Sequence, residues 1–177
     1  MGYSAVAAIW LSLKLNDRLS LWLRDLHPIW FVSLMVSASF LALVPFAILA
    51  SVFPALAPGP GSSVVKYGAV GQIAFGVVLA PLLETALYQA LPIELMSRKT
   101  SFGWPLIIAI SSILFGAAHR FSWGYVFATF LVGLVLAYGY AVRRRKGGRP
   151  FLLILSVHAL RNAISLALFA SGVPYPS

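Results

Sequence analysis

Cysteine is absent from the 177-residue sequence, and acidic residues are scarce. The lack of cysteine excludes disulfides and metal sites built from thiolates. Only four residues are Asp or Glu, against thirteen Lys or Arg, and charged residues make up 10% of the chain. A soluble domain of this size has too little interior to bury its hydrophobic residues, which make up 60% of the sequence. These proportions predict a polytopic membrane protein.

Long apolar stretches recur along the chain, and about twenty such residues cross a bilayer core as a helix. The predicted spanning segments are residues 29–53, 68–96, 102–119, 124–142 and 150–172. We therefore predict an all-α fold, a membrane helical bundle of about five transmembrane helices within a domain over residues 28–177. In the fourth segment Gly133, Ala137 and Ala141 recur at four-residue spacing, which indicates close helix packing.

The N-terminal region, residues 1–27, has a different pattern. Apolar residues recur at helical spacing with charged residues between them, which is typical of an amphipathic helix in the membrane interface. These apolar residues are Leu11, Leu15, Leu19, Trp22 and Leu26. We predict an interfacial N-terminal helix. The alternative is a short first membrane helix over residues 3–13.

Basic residues are distributed unequally between the two ends of the predicted helices. Ten lie at one end, only Lys66 and Arg120 lie at the other, and the thirteenth, Arg161, lies within the last predicted segment. Because basic loops stay in the cytoplasm, we expect the N-terminus and the loops 97–101 and 143–149 to be cytoplasmic. This distribution also accounts for the net charge of +9. The expected partner of the basic residues is therefore the lipid bilayer and not nucleic acid.

Six polar residues interrupt the predicted membrane segments, where ionisable groups are costly and usually face the bundle interior. They are Glu84, Gln89, His119, His158, Arg161 and Asn162. Taken singly, each has a structural explanation, such as an ion pair between Glu84 and Arg161. Taken together, a carboxylate, two imidazoles and a carboxamide can activate water and stabilise an oxyanion. His158 and Asn162 are four residues apart, so they share a helix face.

The predicted depths of these residues do not match well. At about 1.5 Å per residue, Glu84 lies about 18 Å and His158 about 12 Å from the cytoplasmic ends of their predicted helices. His119 lies about 26 Å from its own end, so straight, upright helices do not align the three side chains. A tilt, or a kink near Pro81 or Pro105, is needed to bring them together.

Three motifs at these residues resemble those of the CAAX protease and bacteriocin-processing enzyme family of intramembrane proteases, also called the Abi family. The family's Glu-Glu-x-x-x-Arg motif after Ala-Pro corresponds to APLLETALYQ, in which Glu84 is the first glutamate. Its Phe-x-x-x-His motif corresponds to FGAAH, residues 115–119, and its His-x-x-x-Asn motif to HALRN, residues 158–162. The order and spacing of the three motifs fit the family.

The resemblance implies an intramembrane glutamic-type endopeptidase without a cofactor or a catalytic metal. Glu84 and His119 would activate water, and His158 and Asn162 would stabilise the oxyanion. The implied substrate is a polypeptide that is membrane-associated or anchored at its C-terminus. The first motif departs from the family at two positions, where Thr85 replaces the second glutamate and Gln89 the arginine. We assign a supporting role to Thr85, Gln89 and Arg161.

Other functions stay open on the sequence alone. Two histidines and a glutamate are an accepted zinc ligand set, so a zinc-dependent protease using Glu84, His119 and His158 is possible. The altered first motif keeps open an inactive family member that acts as a membrane scaffold or immunity-type protein. A small transporter with Glu84 as a proton site is a further alternative. The substrate sequence and the oligomeric state have no visible signature.

Overall fold

Helix α1 (Arg18–Asp25) is the first element in the computed structural model, which describes residues 18–56, 68–144 and 148–171. It is followed by α2 (Pro28–Leu41), α3 (Val44–Val52), a 3₁₀ turn (Pro54–Leu56), α4 (Gly68–Lys99), α5 (Trp104–Ala118), α6 (Trp123–Arg144) and α7 (Pro150–Ala170). No strand occurs in these described ranges. The predicted all-α fold is confirmed.

Four helical stretches are long and apolar enough to cross a membrane. They are Pro28–Val52, Gly68–Lys99, Trp123–Arg144 and Pro150–Ala170. The third predicted segment forms α5, an apolar helix of 15 residues, which is shorter than a usual span. The first stretch is also interrupted at residues 42–43, because Pro45 has no backbone N–H to donate to the carbonyl of Leu41. A multi-pass helical bundle is thus confirmed.

Helix α6 is the central helix of the bundle. Half of the most apolar 18-residue stretch of this helix is buried by other parts of the protein, compared with 11–22% in the other three spans. Ala137 and Ala141 are completely buried, and a Cβ added to Gly133 would lie 3.1 Å from the ring of Phe115. The predicted close packing along this face is therefore confirmed, because only small residues allow α5 and α6 to approach so closely.

Helix α1 is joined to the bundle by Arg143, at the C-terminal end of α6. The Arg143 guanidinium donates hydrogen bonds to the carbonyls of Arg24 (2.8 Å) and Leu26 (2.6 Å), which lie at the end of α1. It also lies 4.2 Å from the centre of the Phe31 ring. The interfacial location of α1 remains a prediction, and both residues 1–17 and the alternative membrane helix over 3–13 lie outside the described residues.

Helix α4 departs from regular α geometry on both sides of Glu84. Residues Gln72–Leu79 and Thr85–Ala90 are π-helical, and the Ala80 N–H, for example, donates to the carbonyl of Phe75, five residues earlier. Further along, Pro92 lacks the N–H that would bond to the carbonyl of Tyr88. The hydroxyl of Ser111 in α5 donates to this carbonyl instead. Such π segments are common at functional sites.

Candidate active site

Glu84 lies between two histidines that come from two other helices. Its Oε2 atom is 3.6 Å from Nε2 of His119, which directly follows α5, and 3.5 Å from Nε2 of His158 in α7. His158 is almost completely buried, whereas His119 and Glu84 keep 14% and 23% of their side-chain surface exposed. We call these three residues the Glu84 cluster. One carboxylate oxygen is therefore close to both imidazoles, and the cluster retains partial access from outside.

The observed helix ends remove the mismatch in depth between Glu84 and His119. Helix α4 continues to Lys99 and α5 begins at Trp104, so the ends differ from the predicted Met96 and Phe102. Fifteen residues now separate Glu84 from Lys99, and fifteen separate His119 from Trp104. At about 1.5 Å per residue, both side chains lie about 22 Å along their helices from that end of the bundle.

The hydrogen bond of the other ring nitrogen decides the tautomer of His119. Nδ1 of His119 lies 2.7 Å from the carbonyl oxygen of Phe115. Because a carbonyl only accepts hydrogen bonds, Nδ1 must carry a hydrogen and donate it. In the neutral ring Nε2 is then an acceptor, and it faces an oxygen of Glu84 that is also an acceptor when ionised. A water molecule placed about 2.8 Å from both atoms can donate to them.

The ring of His158 is held from its opposite side by Thr85. The Thr85 hydroxyl lies 3.3 Å from Nδ1 of His158, and Thr85 is completely buried. Both residues are in the interior of the bundle, where α4 and α7 are in contact. The supporting residue Thr85 therefore contacts the site directly, as the next residue after Glu84.

Asn162 lies one turn after His158 and donates a hydrogen bond to the backbone of α4. Its Nδ2 atom is 2.9 Å from the carbonyl oxygen of Gly76. In the π-helical register this carbonyl would accept from residue 81, but Pro81 has no N–H. Asn162 thus satisfies a carbonyl that the proline leaves without its backbone donor. A carboxamide nitrogen carries two hydrogens, so one remains for another acceptor.

The other two supporting residues have different surroundings. Gln89 is completely buried, and among the described residues neither its oxygen nor its nitrogen has a hydrogen-bond partner. Arg161 places its guanidinium 5.3 Å from the centre of the Phe40 ring and interacts electrostatically with both histidines of the cluster. Arg161 is therefore close enough to influence the site, whereas the side chain of Gln89 makes no hydrogen bond to the described residues of the Glu84 cluster.

Phe115 is a site residue to which sequence analysis gave no role, although it belongs to the second motif. Its ring centre lies 4.7 Å from that of His119 and 5.5 Å from that of His158, and only 2% of the residue is exposed. The ring thus packs against both imidazoles of the Glu84 cluster. The only signal in the sequence was the motif itself, because an apolar residue on an apolar helix is otherwise inconspicuous.

The zinc alternative requires the three side chains to converge on one point. Within the described ranges, no group of three or more His, Cys, Asp or Glu residues has the arrangement of a metal site. The two Nε2 atoms both approach Oε2 of Glu84 at 3.5–3.6 Å. Ligand atoms about 2.0–2.2 Å from one tetrahedral zinc ion lie about 3.3–3.6 Å from one another, so the choice between zinc and metal-free chemistry rests on the chelator experiment described below.

The fold and the site together define a polytopic helical membrane protein in which three helices bring a carboxylate and two imidazoles into contact. Residues 66–164 match the family model described as type II CAAX prenyl endopeptidase Rce1-like. This match covers more than half of the chain and includes every residue of the candidate site. The chain therefore belongs to the Rce1-like family, which is a protease family. No curated protein and no solved structure matches the chain.

Proposed function

We propose that the protein is a glutamic-type intramembrane endopeptidase that cleaves a membrane-associated or C-terminally anchored polypeptide. The observation that carries this proposal is the approach of Glu84 Oε2 to the Nε2 atoms of His119 and His158, at 3.6 and 3.5 Å. Membership of a protease family supports hydrolysis of a peptide bond as the reaction. The site lies well inside the apolar helices, which favours a substrate that is held at the membrane.

In the first step, water is activated between Glu84 and His119. Both groups present an acceptor atom towards the same space, so they can polarise a water molecule and take one of its protons. The water oxygen then attacks the carbonyl carbon of the scissile peptide, and the carbonyl oxygen becomes an oxyanion. The carbon–nitrogen bond breaks when the tetrahedral intermediate collapses. The proton held by the Glu84 and His119 pair passes to the leaving amine.

His158 and Asn162 are the proposed donors to the oxyanion, as the family resemblance implies. Nε2 of His158 is close to the same carboxylate oxygen of Glu84 as Nε2 of His119. A substrate carbonyl bound beside Glu84 is therefore within reach of Nε2 of His158. The second hydrogen of the Asn162 carboxamide is available for the same oxygen, because the first bonds to Gly76. Donors fixed in advance contribute mainly in the transition state, where the negative charge develops.

The orientation in the membrane is also part of this proposal. The basic N-terminus and the loops 97–101 and 143–149 lie on the cytoplasmic side, as the positive-inside rule predicts. The partners are then the lipid bilayer and a polypeptide whose cleavage site enters the bundle.

One observation favours a second candidate function, a membrane scaffold without catalysis. Thr85 and Gln89 replace the glutamate and the arginine of the first motif, and Gln89 is buried without a hydrogen-bond partner in the described structure. Both functions require the same fold. They differ in whether the purified protein hydrolyses a peptide bond.

The decisive experiment uses the purified full-length protein in lipid nanodiscs with C-terminally anchored model peptides, with and without a prenyl group. The reaction is run in water enriched in ¹⁸O, and the products are analysed by mass spectrometry. We expect cleavage, one ¹⁸O atom in the new carboxyl group, and unchanged rates with strong chelators. Failure to cleave any anchored peptide, including those that accumulate in cells lacking the protein, would favour the scaffold. Chelator inhibition that added zinc reverses would favour the zinc enzyme.

A further inference from the structure

Thr85 contacts the reacting groups although it occupies a position where the family motif has a glutamate. It follows Glu84 in α4, is completely buried, and places its hydroxyl 3.3 Å from Nδ1 of His158. The other nitrogen of this ring, Nε2, lies 3.5 Å from Oε2 of Glu84. His158 therefore lies between the side chains of two consecutive residues of α4, and each contacts a different ring nitrogen.

The chemistry of these two contacts selects one tautomer of His158. In a neutral imidazole one nitrogen donates a hydrogen bond and the other accepts. An ionised Glu84 can only accept, which favours a hydrogen on Nε2. Nδ1 is then an acceptor and needs a donor, and the hydroxyl of Thr85 can donate. An ionised glutamate at position 85 would only accept and would favour a hydrogen on Nδ1.

We propose that Thr85 is a positioning residue that fixes neutral His158 as the tautomer with its hydrogen on Nε2. This proposal rests on the proposed function, because an oxyanion donor at Nε2 must carry that hydrogen. The replacement of the second motif glutamate then supports catalysis in this protein, and it is not a sign of a lost activity. The Thr85 hydroxyl donates a hydrogen bond to Nδ1. The neutral ring of His158 then keeps its hydrogen on Nε2 and can donate it towards the substrate.

The two histidines of the cluster are then held as opposite tautomers. The carbonyl of Phe115 holds the hydrogen of His119 on Nδ1, so that Nε2 accepts. For His158, the Glu84 carboxylate accepts at Nε2 and the Thr85 hydroxyl donates to Nδ1, so that Nε2 carries the hydrogen and donates. One carboxylate oxygen therefore lies between an acceptor that can take a proton from water and a donor that can stabilise an oxyanion. This division of roles comes from the carbonyl of Phe115 for His119, and from Glu84 together with Thr85 for His158.

The direct test is ¹⁵N nuclear magnetic resonance of protein labelled at histidine and reconstituted in lipid. The chain has three histidines, so His27→Gln and His158→Gln suffice to assign the signals. We expect the neutral form of His158 in the wild type to carry its hydrogen on Nε2. We expect Thr85→Val, which keeps the shape but removes the hydroxyl, to reduce this preference, and Thr85→Ser to restore it.

Turnover of an anchored peptide provides the second readout. Thr85→Val should lower kcat by about 10–100-fold with little change in KM, as for other residues that orient a functional histidine. Thr85→Ser should recover most of the loss. Thr129→Val is the control, because it also removes a threonine hydroxyl, here a partly buried one that bonds to the carbonyl of Tyr125 in its own helix. Its kcat should stay near the wild-type value.

A hydrogen on Nδ1 of neutral His158 in the wild-type spectrum would overturn the proposal. Unchanged kcat and an unchanged spectrum in a folded Thr85→Val protein would overturn it as well. Should Thr85→Val not fold, the wild-type spectrum can still overturn the proposal, because it needs no variant at position 85. The spectrum also needs no turnover, so a protein that cleaves nothing would refute the proposed function while the tautomer is still measured.

Discussion

Helix α4 carries two carboxylates ten residues apart, and their surroundings differ in kind. Glu94 accepts hydrogen bonds from Arg144 at 2.8 Å and Arg98 at 3.1 Å, and Tyr140 lies 3.5 Å away. We call these four residues the Glu94 cluster. Glu84 instead lies 3.5–3.6 Å from two imidazoles. The exposed fractions of the two side chains are similar, at 23% for Glu84 and 28% for Glu94.

In the proposed function, partners and not burial alone distinguish the structural carboxylate Glu94 from the reactive carboxylate Glu84. Arginine is charged at every physiological pH, so short bonds to two arginines hold Glu94 ionised and join α4 to α6. Imidazole gains and loses a proton near neutral pH, so Glu84 can exchange protons with its partners and with water. At 3.5–3.6 Å the Glu84 carboxylate is not held in short hydrogen bonds to the imidazoles, so a water molecule beside them can bond to both.

The largest expected effect is the loss of peptidase activity in Glu84→Gln. Without the carboxylate the water is no longer deprotonated, and turnover should fall by about 10²–10⁴-fold. Thermal stability should hold or rise, because a neutral amide is less costly than a carboxylate within the membrane. Initial rates and thermal unfolding in the same detergent measure both effects. The matched control is Glu94→Gln, made in the same helix. Similar turnover in the two variants would remove the distinction between the clusters.

The next effect concerns the proposed oxyanion donors. Removing one such donor typically lowers turnover by about 10²–10³-fold, so we expect this loss in Asn162→Ala with little change in KM. Arg161→Gln should have a milder effect, because Arg161 points about 100° away from Asn162 on the helix. Steady-state kinetics of both folded variants tests the order. A greater loss in Arg161→Gln would indicate that Arg161 is the charge that interacts with Glu84. The helix face that carries Asn162 would then have a structural role only.

Asn162→Ser offers a refinement of this test. Asn162 also donates to the carbonyl of Gly76, so a loss of turnover in Asn162→Ala could reflect a displaced α4. The serine hydroxyl is a donor but is too short to replace the whole carboxamide. Unfolding temperatures close to that of the wild type in both variants, with turnover low in both, would attribute the loss to the oxyanion. A large drop in the unfolding temperature of both would attribute it to the backbone of α4.

A smaller effect, on stability alone, is expected for Glu94→Gln. The variant weakens charge-assisted hydrogen bonds to Arg98 and Arg144 in a partly exposed network, which should lower the free energy of unfolding by about 1–2 kcal/mol. Turnover should change by no more than a few fold. Denaturation of the reconstituted protein, together with peptide cleavage, measures the two quantities. A severe loss of turnover with unchanged stability would show that the Glu94 cluster belongs to the reaction.

The smallest effect is expected at Gln89, which lies midway between the two carboxylates. Its carboxamide is buried without a hydrogen-bond partner in the described structure, so Gln89→Leu should raise the free energy of unfolding by about 1 kcal/mol. Activity should remain close to that of the wild type. Thermal unfolding and turnover of the purified variant provide the check. An inactive but folded Gln89→Leu protein would place Gln89 with the Glu84 cluster.

The sequence predicted the residues of the candidate site better than the ends of the helices that carry them. Glu84, His119 and His158 stand out because polar residues are rare in apolar helices, and the structure brings all three together. The helices of Glu84 and His119 did not align when the ends were counted from the sequence. The reason is that the ends of α4 and α5 lie a few residues away from the last apolar residues, since Ser97 to Lys99 continue α4 as polar helical residues.

The sequence by itself determined that this protein is a membrane helical bundle, because its apolar content leaves no other environment for the chain. It also determined which polar groups lie within that bundle and which of them share a helix face. Only the tertiary structure decided which partner each group has: Gly76 for Asn162, Arg144 for Glu94, the end of α1 for Arg143, and Thr85 for His158. Helical periodicity fixes the direction in which a side chain points around the axis of its own helix. The crossing of two helices is set by packing between residues far apart in sequence, such as Gly133 against Phe115.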